Sequence, residues 1–89
     1  MYEWDEAKDA DTRQRRGFGF EIMQNFQWDF AICAEIEHHD DEEREKWLGP
    51  IGDTVFMAVV TMREPKIRVI SLRRATRNEI ALWRRTIRE

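Results

Sequence analysis

The stretch RVISLRRATRNEI, residues 68–80, decides how this chain is built. With Ile67 before it, its first half is an apolar, β-branched run that reads as a strand over Ile67 to Arg73. Its second half sets Thr76 and Glu79 in the T-x-x-E spacing of a capping box, worth about 1 kcal/mol at the start of a helix. A strand therefore passes into a helix within a few residues, and the handover carries Arg73, Arg74 and Arg77. Along the helix Ile80, Trp83 and Ile87 share one face, while Arg77, Arg84 and Arg88 share another with Arg85 at its edge. One side is expected to dock and the other to present arginines.

Upstream of this junction lie more extended runs broken by turn residues. AICAEIE (31–37) alternates as a half-buried strand does, HHDDEE (38–43) reads as a charged loop, and REKWLGPIGD (44–53) holds a short strand around Trp47 and Leu48. TVFMAVVTM (54–62) is almost wholly apolar, as a central strand covered on both faces would be, and REPK (63–66) turns the chain. Short connections favour an antiparallel meander, because parallel crossovers need about a dozen residues or more.

At the other end Asp5 is a helix cap, Arg13, Arg15 and Arg16 occupy a last turn, and Gly17 stands where a left-handed residue ends the helix. The spacing predicts a helix over 5–16 with a thin apolar side, only Ala7 and Ala10 lining up with Trp4, lying across the surface. Phe20, Ile22, Met23 and Phe26 predict a second short helix anchored in the core, with Trp28 exposed on its polar arc. The expected fold is α+β: two N-terminal helices, a four-stranded antiparallel sheet and a C-terminal helix, as one domain over 1–89.

Eighty-nine residues allow one thin core, burying roughly 60 to 65 per cent of the surface the unfolded chain would expose. Charged residues make up 37% of the chain, above the usual quarter, and they are unevenly distributed. Residues 1–62 hold six Lys/Arg against fifteen Asp/Glu, a net −9, whereas 63–89 hold nine against three, a net +6. The acidic part would repel bulk nucleic acid, but a local basic site on the C-terminal part survives that objection. The single cysteine, Cys33, excludes a disulfide framework and reads as a small core residue. No apolar run is long enough to span a membrane and MYEWDEAKD is no secretory signal, so a complete cytoplasmic polypeptide is expected.

Arg73, Arg74 and Arg77 stand where helix N–H groups point outward and anions are favoured, and guanidinium forks suit phosphate oxygens. Arg63, in the preceding turn, reaches the same side if the strand register allows. Against this stands a purely structural reading, in which the arginines pair with the chain's own acidic half. His38, His39, Asp40 and Asp41 read as a solvated loop ahead of a metal site, since adjacent histidines lack helical ligand spacing and no second ligand cluster exists. There is no G-x-S-x-G, Walker A, H-E-x-x-H or C-x-x-C. What remains is basic side chains acting on a phosphodiester, a site that needs only a base or acid and cations around the phosphate, because in RNA the substrate's 2'-OH supplies the nucleophile.

YEWDEAK, the Gly17-x-x-Phe20-Glu21 junction, REKWLGPIG and above all IRVISLRRATRNE resemble, in order and spacing, the BrnT toxins of type II toxin-antitoxin systems. The resemblance implies a RelE-like fold and a cytoplasmic, metal- and cofactor-independent ribonuclease that arrests growth. It also implies neutralisation by a BrnA-like antitoxin with a ribbon-helix-helix DNA-binding part, so that operator DNA is contacted only through that partner. Arg63, Arg73, Arg74 and Arg77 are then expected to hold and polarise the RNA phosphate, with Lys8, Arg16, Arg84 and Arg85 binding RNA and Glu79 the candidate acid or base. The chain departs from the pattern where Arg16 replaces a histidine, Val60 a tyrosine, and Asp29-Phe30 an Asp-Pro. An arginine cannot serve as a general base. A second reading therefore stays open: a catalytically weak or inactive toxin relic that binds the antitoxin and autoregulates transcription. DNA binding by the chain itself is opposed by the acidic N-terminal part and the lack of a recognition-helix motif.

Overall fold

The computed structural model describes residues 1–88. Strand β1 (Tyr2–Trp4) and helix α1 (Glu6–Arg16) are followed by β2 (Ile32–His39), β3 (Glu42–Ile51), β4 (Thr54–Arg63), β5 (Lys66–Arg74) and helix α2 (Arg77–Ile87). The strands form one sheet in the order β1-β5-β4-β3-β2. β2 to β5 make the expected antiparallel meander, and β1 adds a parallel fifth strand on β5, Tyr2 opposite Ile67 and Trp4 opposite Val69. The α+β class holds, but the expected four-stranded antiparallel sheet is a five-stranded mixed one.

Three local expectations change as well. HHDDEE is mostly strand: His39 pairs with Glu42, leaving Asp40, at φ 53°, and Asp41 in the turn. Charged residues suffice there because both faces of this hairpin end meet solvent and the ladder itself satisfies the backbone. The second helix is two 3-10 stretches, Phe20–Asn25 and Trp28–Phe30. A three-residue period stacks Phe20, Met23 and Phe26 in one line, and all three are buried. Trp28, expected to be exposed, is half-buried, its ring 4.7 Å from Phe26 and 5.1 Å from Trp47, with Nε1 donating to the Tyr2 hydroxyl at 2.7 Å.

Helix α1 starts as expected, Asp5 accepting from the Ala7 and Lys8 amides at 2.8 and 3.2 Å, and ends at Gly17 with φ 83°. Its inward residues, however, are Asp9 and Thr12, while Ala7 and Ala10 are exposed. The chain doubles back after Gly17 and leaves the Phe20 amide pointing at the helix. Asp9 accepts from it at 2.7 Å and from Arg13 Nε at 3.1 Å, so a buried donor finds an acceptor where an alanine would offer none.

Cross-strand partners share a face, which sorts the sheet. On one side Phe20, Met23 and Phe26 pack over Phe56, Ala58, Val60, Val69 and Leu72 to form the core. Phe26 lies so close to Gly49 that a Cβ there would meet its ring at 2.6 Å, so glycine admits the ring. On the other side Leu48, Met57 and Arg73 share one row, and α2 packs on β2 and β3. The hold is light: no α2 residue is fully buried, and Trp83 Nε1 reaches back to the Phe30 carbonyl at 2.6 Å. Cys33, expected in the core, is exposed on edge strand β2, where a bulge at Ala34 interrupts the ladder.

Candidate functional site

Beyond the part of this second face that α2 covers, alternate strand residues lay down charges. β3 contributes Glu42, Arg44 and Lys46, β4 ends in Arg63, and β5 presents Arg68 opposite Thr61. The edge is shaped by a bulge: Val59 pairs with Ser71 but Val60 with Val69, so Ile70 is the extra residue of β5. Past that point β1 no longer covers β5, and α1, launched parallel to it, takes over the edge.

The result is a cavity of about 150 Å³ lined by Asp5, Lys8, Glu42, Arg44, Arg63, Arg68, Val69 and Ile70. Four cations thus line one depression against two carboxylates, and Asp5 is occupied as the α1 cap. Glu42 bridges two of the cations, Oε1 accepting from Arg44 Nε at 3.3 Å and Oε2 from Arg63 Nη2 at 3.1 Å. These contacts, Arg63 first, hold its carboxyl below the usual range. Arg68 pairs with Glu3 at 3.5 Å, and Lys8 has no carboxylate at ion-pair distance among the described residues. Such a set offers an anion several directed donors.

A second depression of about 220 Å³ adjoins the first through Lys8 and Ile70 and is lined by Asp11, Thr12, Arg15, Arg16, Phe20 and Ser71 as well. Arg15 is paired with Asp11 at 2.9 Å. Arg16 donates to the Leu72 carbonyl at 2.6 Å, filling the edge position that β1 is too short to reach. Together the two hollows form a basic groove between α1 and the sheet.

The arginines of residues 68–80 do not converge. Arg73 and Arg74 are neighbours in one strand, so they face opposite sides. Arg73 donates to both oxygens of Glu79 at 2.8 and 2.9 Å, while Arg74 lies 5.1 Å from the centroid of the Phe18 ring on the core side. Arg77, Arg84 and Arg85 are exposed on α2. Glu79 also accepts from the Thr76 amide at 2.8 Å, and these contacts, Arg73 foremost, lower its pKa to about 2. An unprotonated carboxylate with both oxygens engaged fastens the strand-helix corner and is badly placed to move protons.

Of the residues singled out in the sequence, Lys8 and Arg63 meet in the first cavity, and Arg16 joins them through the second. Arg44, Arg68 and Glu42 were missed. For Glu42 and Arg44 the signal was the alternation Glu42, Arg44, Lys46, which puts charges on one face as soon as residues 42–46 are read as strand.

No described helix is long and apolar enough to cross a membrane. Residues 4–79 match the model of a family described as the ribonuclease toxin BrnT of type II toxin-antitoxin systems. No curated protein and no solved structure shows significant similarity. The match spans the capped helix α1, strands β2 to β5 and the Arg73–Glu79 corner, and the chain therefore belongs to the BrnT family of ribonuclease toxins, whose partners are protein antitoxins.

Proposed function

We propose that the chain is an active, metal-independent endoribonuclease that cleaves RNA, inhibits translation and arrests growth. The observation that carries this reading is the meeting of Lys8, Arg44, Arg63 and Arg68 in one cavity too small for a drug-sized ligand and suited to a single phosphodiester. Cations preorganised around a phosphate stabilise the charge that develops as the 2'-oxygen attacks, and no resident nucleophile is needed. The RNA strand continues along the α1 groove past Arg16 toward Arg74 and Arg77, with Arg84 and Arg85 supplying further phosphate contacts from α2. Arg73 takes part by holding the corner rather than by touching RNA. A RelE-like scaffold, a cytoplasmic setting and a small BrnA-like antitoxin with a ribbon-helix-helix DNA-binding part, encoded nearby and repressing the operon as a complex, complete the reading.

The test is cleavage of total RNA by purified protein in the presence of EDTA. Arg63→Ala and Arg68→Ala are expected to slow it by about 100-fold or more each. Persistence of cleavage in both variants, or loss on chelation, refutes the proposal. The inactive-relic reading draws on Arg16 and Val60 at the family's His and Tyr positions and on Glu42 occupying two of the four cations. It predicts tight antitoxin binding with no cleavage by the wild type.

A further inference from the structure

If the cations hold the phosphate, the 2'-hydroxyl still needs a proton acceptor, and Arg16, an arginine already bound to the Leu72 carbonyl, cannot be one. Glu79 is spent on Arg73 and Asp5 on the α1 cap. His39 lies opposite Glu42 in register, but it contacts Glu37 and does not line the cavity. That leaves one carboxylate inside the cationic cavity whose only partners among the described residues are the guanidinium groups that would bind substrate. Resting on the ribonuclease reading above, we propose that Glu42 is the general base, the catalytic residue that takes the 2'-OH proton.

The arrangement gives the pair two states. Without RNA, Arg63 and Arg44 hold Glu42 ionised and keep its basicity low. A phosphodiester entering the cavity competes for the same forks, since phosphate and carboxylate oxygens accept from guanidinium in the same bidentate way. As Arg44 and Arg63 turn to the phosphate, Glu42 is released beside the ribose and gains basicity, because the contacts that held its carboxyl low are gone. Lys8, Arg68 and Asp5 are the other charged groups lining the cavity, so the freed carboxylate stays ionised among cations. The step balances without a co-reactant: the 2'-oxygen bonds to phosphorus as its proton passes to Glu42. The bond from phosphorus to the 5'-oxygen breaks, and that oxygen takes a proton from the Lys8 ammonium. The products are a 2',3'-cyclic phosphate and a 5'-hydroxyl, after which proton exchange with water restores both side chains.

A base and a mere charge-neutralising residue make opposite predictions for Glu42→Gln. Removing a negative charge from a cationic cavity should tighten RNA binding, whereas removing a base should slow cleavage by about 100-fold or more. Affinity is read on a 2'-O-methyl RNA that cannot react, and cleavage in single turnover on the unmodified strand. Glu42→Gln is expected to bind at least as tightly as wild type yet lose cleavage and the acid limb of the pH-rate profile, and Glu42→Asp to retain part of the rate. On RNA with sulfur at the scissile 5'-bridging position, a better leaving group, the Lys8→Ala defect should shrink while that of Glu42→Gln persists. Cleavage by Glu42→Gln within about threefold of wild type overturns the assignment and makes Glu42 a neutralising residue. Glu42→Gln and Glu42→Asp that both fail to bind also overturn it, by showing a structural role. Absence of cleavage by the wild type refutes the ribonuclease reading itself, and the base with it.

Discussion

Arg63–Glu42 and Arg73–Glu79 join the same chemical groups on the same face of one sheet, and they differ in everything around those groups. Glu79 accepts both forks of Arg73 and the Thr76 amide, its side chain only 22% exposed, at a corner where strand and helix must keep a fixed angle. Glu42 has single contacts to two different arginines, and Arg63 is 52% exposed on the rim of a cavity. Geometry that engages every oxygen makes a lock, and geometry that leaves arginine donors free makes a pair that a ligand can open. Removing each arginine should therefore damage different properties.

The largest effect belongs to the open pair. Arg63→Ala should lower single-turnover RNA cleavage by about 100- to 1,000-fold while the melting temperature stays near wild type, because an exposed single-contact pair contributes little to folding. If the variant instead melts early and keeps its activity per folded molecule, the two pairs are alike and the contrast fails.

Next comes the lock. Lowering Glu79 from 4.5 to about 2 corresponds at most to about 3 kcal/mol of stability, and partial exposure brings the expectation to about 2 kcal/mol. Glu79→Gln should lose about that amount in urea titration at pH 7 and keep cleavage per folded molecule. The sign with pH follows from the depressed value. Stabilisation by the native carboxylate is complete above about pH 4.5 and is lost as pH falls toward 2, so wild type and Glu79→Gln should converge in stability over that window. A constant gap across it would mean that the interaction is not ionic.

Much of this contrast was out of reach of the sequence, for physical reasons. Capping is local, so Asp5 with Gly17 and Thr76 with Glu79 announced both helices, and the meander followed from apolar runs and short turns. Strand β1 is three residues long and is held by a partner more than sixty positions away, which no local pattern encodes. The inward side of α1 was misread because Asp9 and Thr12 serve the backbone of a returning chain rather than an apolar core. In the site, Lys8 and Arg63 carried a family pattern, whereas Arg44 and Glu42 sat near a presumed loop and Arg68 in an apolar strand, so their meeting depended on register and on the Ile70 bulge. The arginine-rich run 68–80 looked like one cluster because sequence proximity conceals that Arg73 and Arg74 face opposite sides.

The smallest expected effect marks the outer limit of the site. Arg84 and Arg85 lie beyond residue 79, where the family match ends, on a helix that no neighbour buries. Exposed cations of this kind act on RNA only through counterion release, each phosphate contact adding about 0.7 to the slope of log K against log salt on a single strand. Arg84→Ala and Arg85→Ala should each weaken binding a few-fold at low salt, flatten that slope by no more than one contact, and leave the single-turnover rate at saturation unchanged. A rate loss at saturation would move the reacting phosphate toward α2, away from the Lys8–Arg63 cavity, and would deny the Arg63–Glu42 pair its place at the reacting centre.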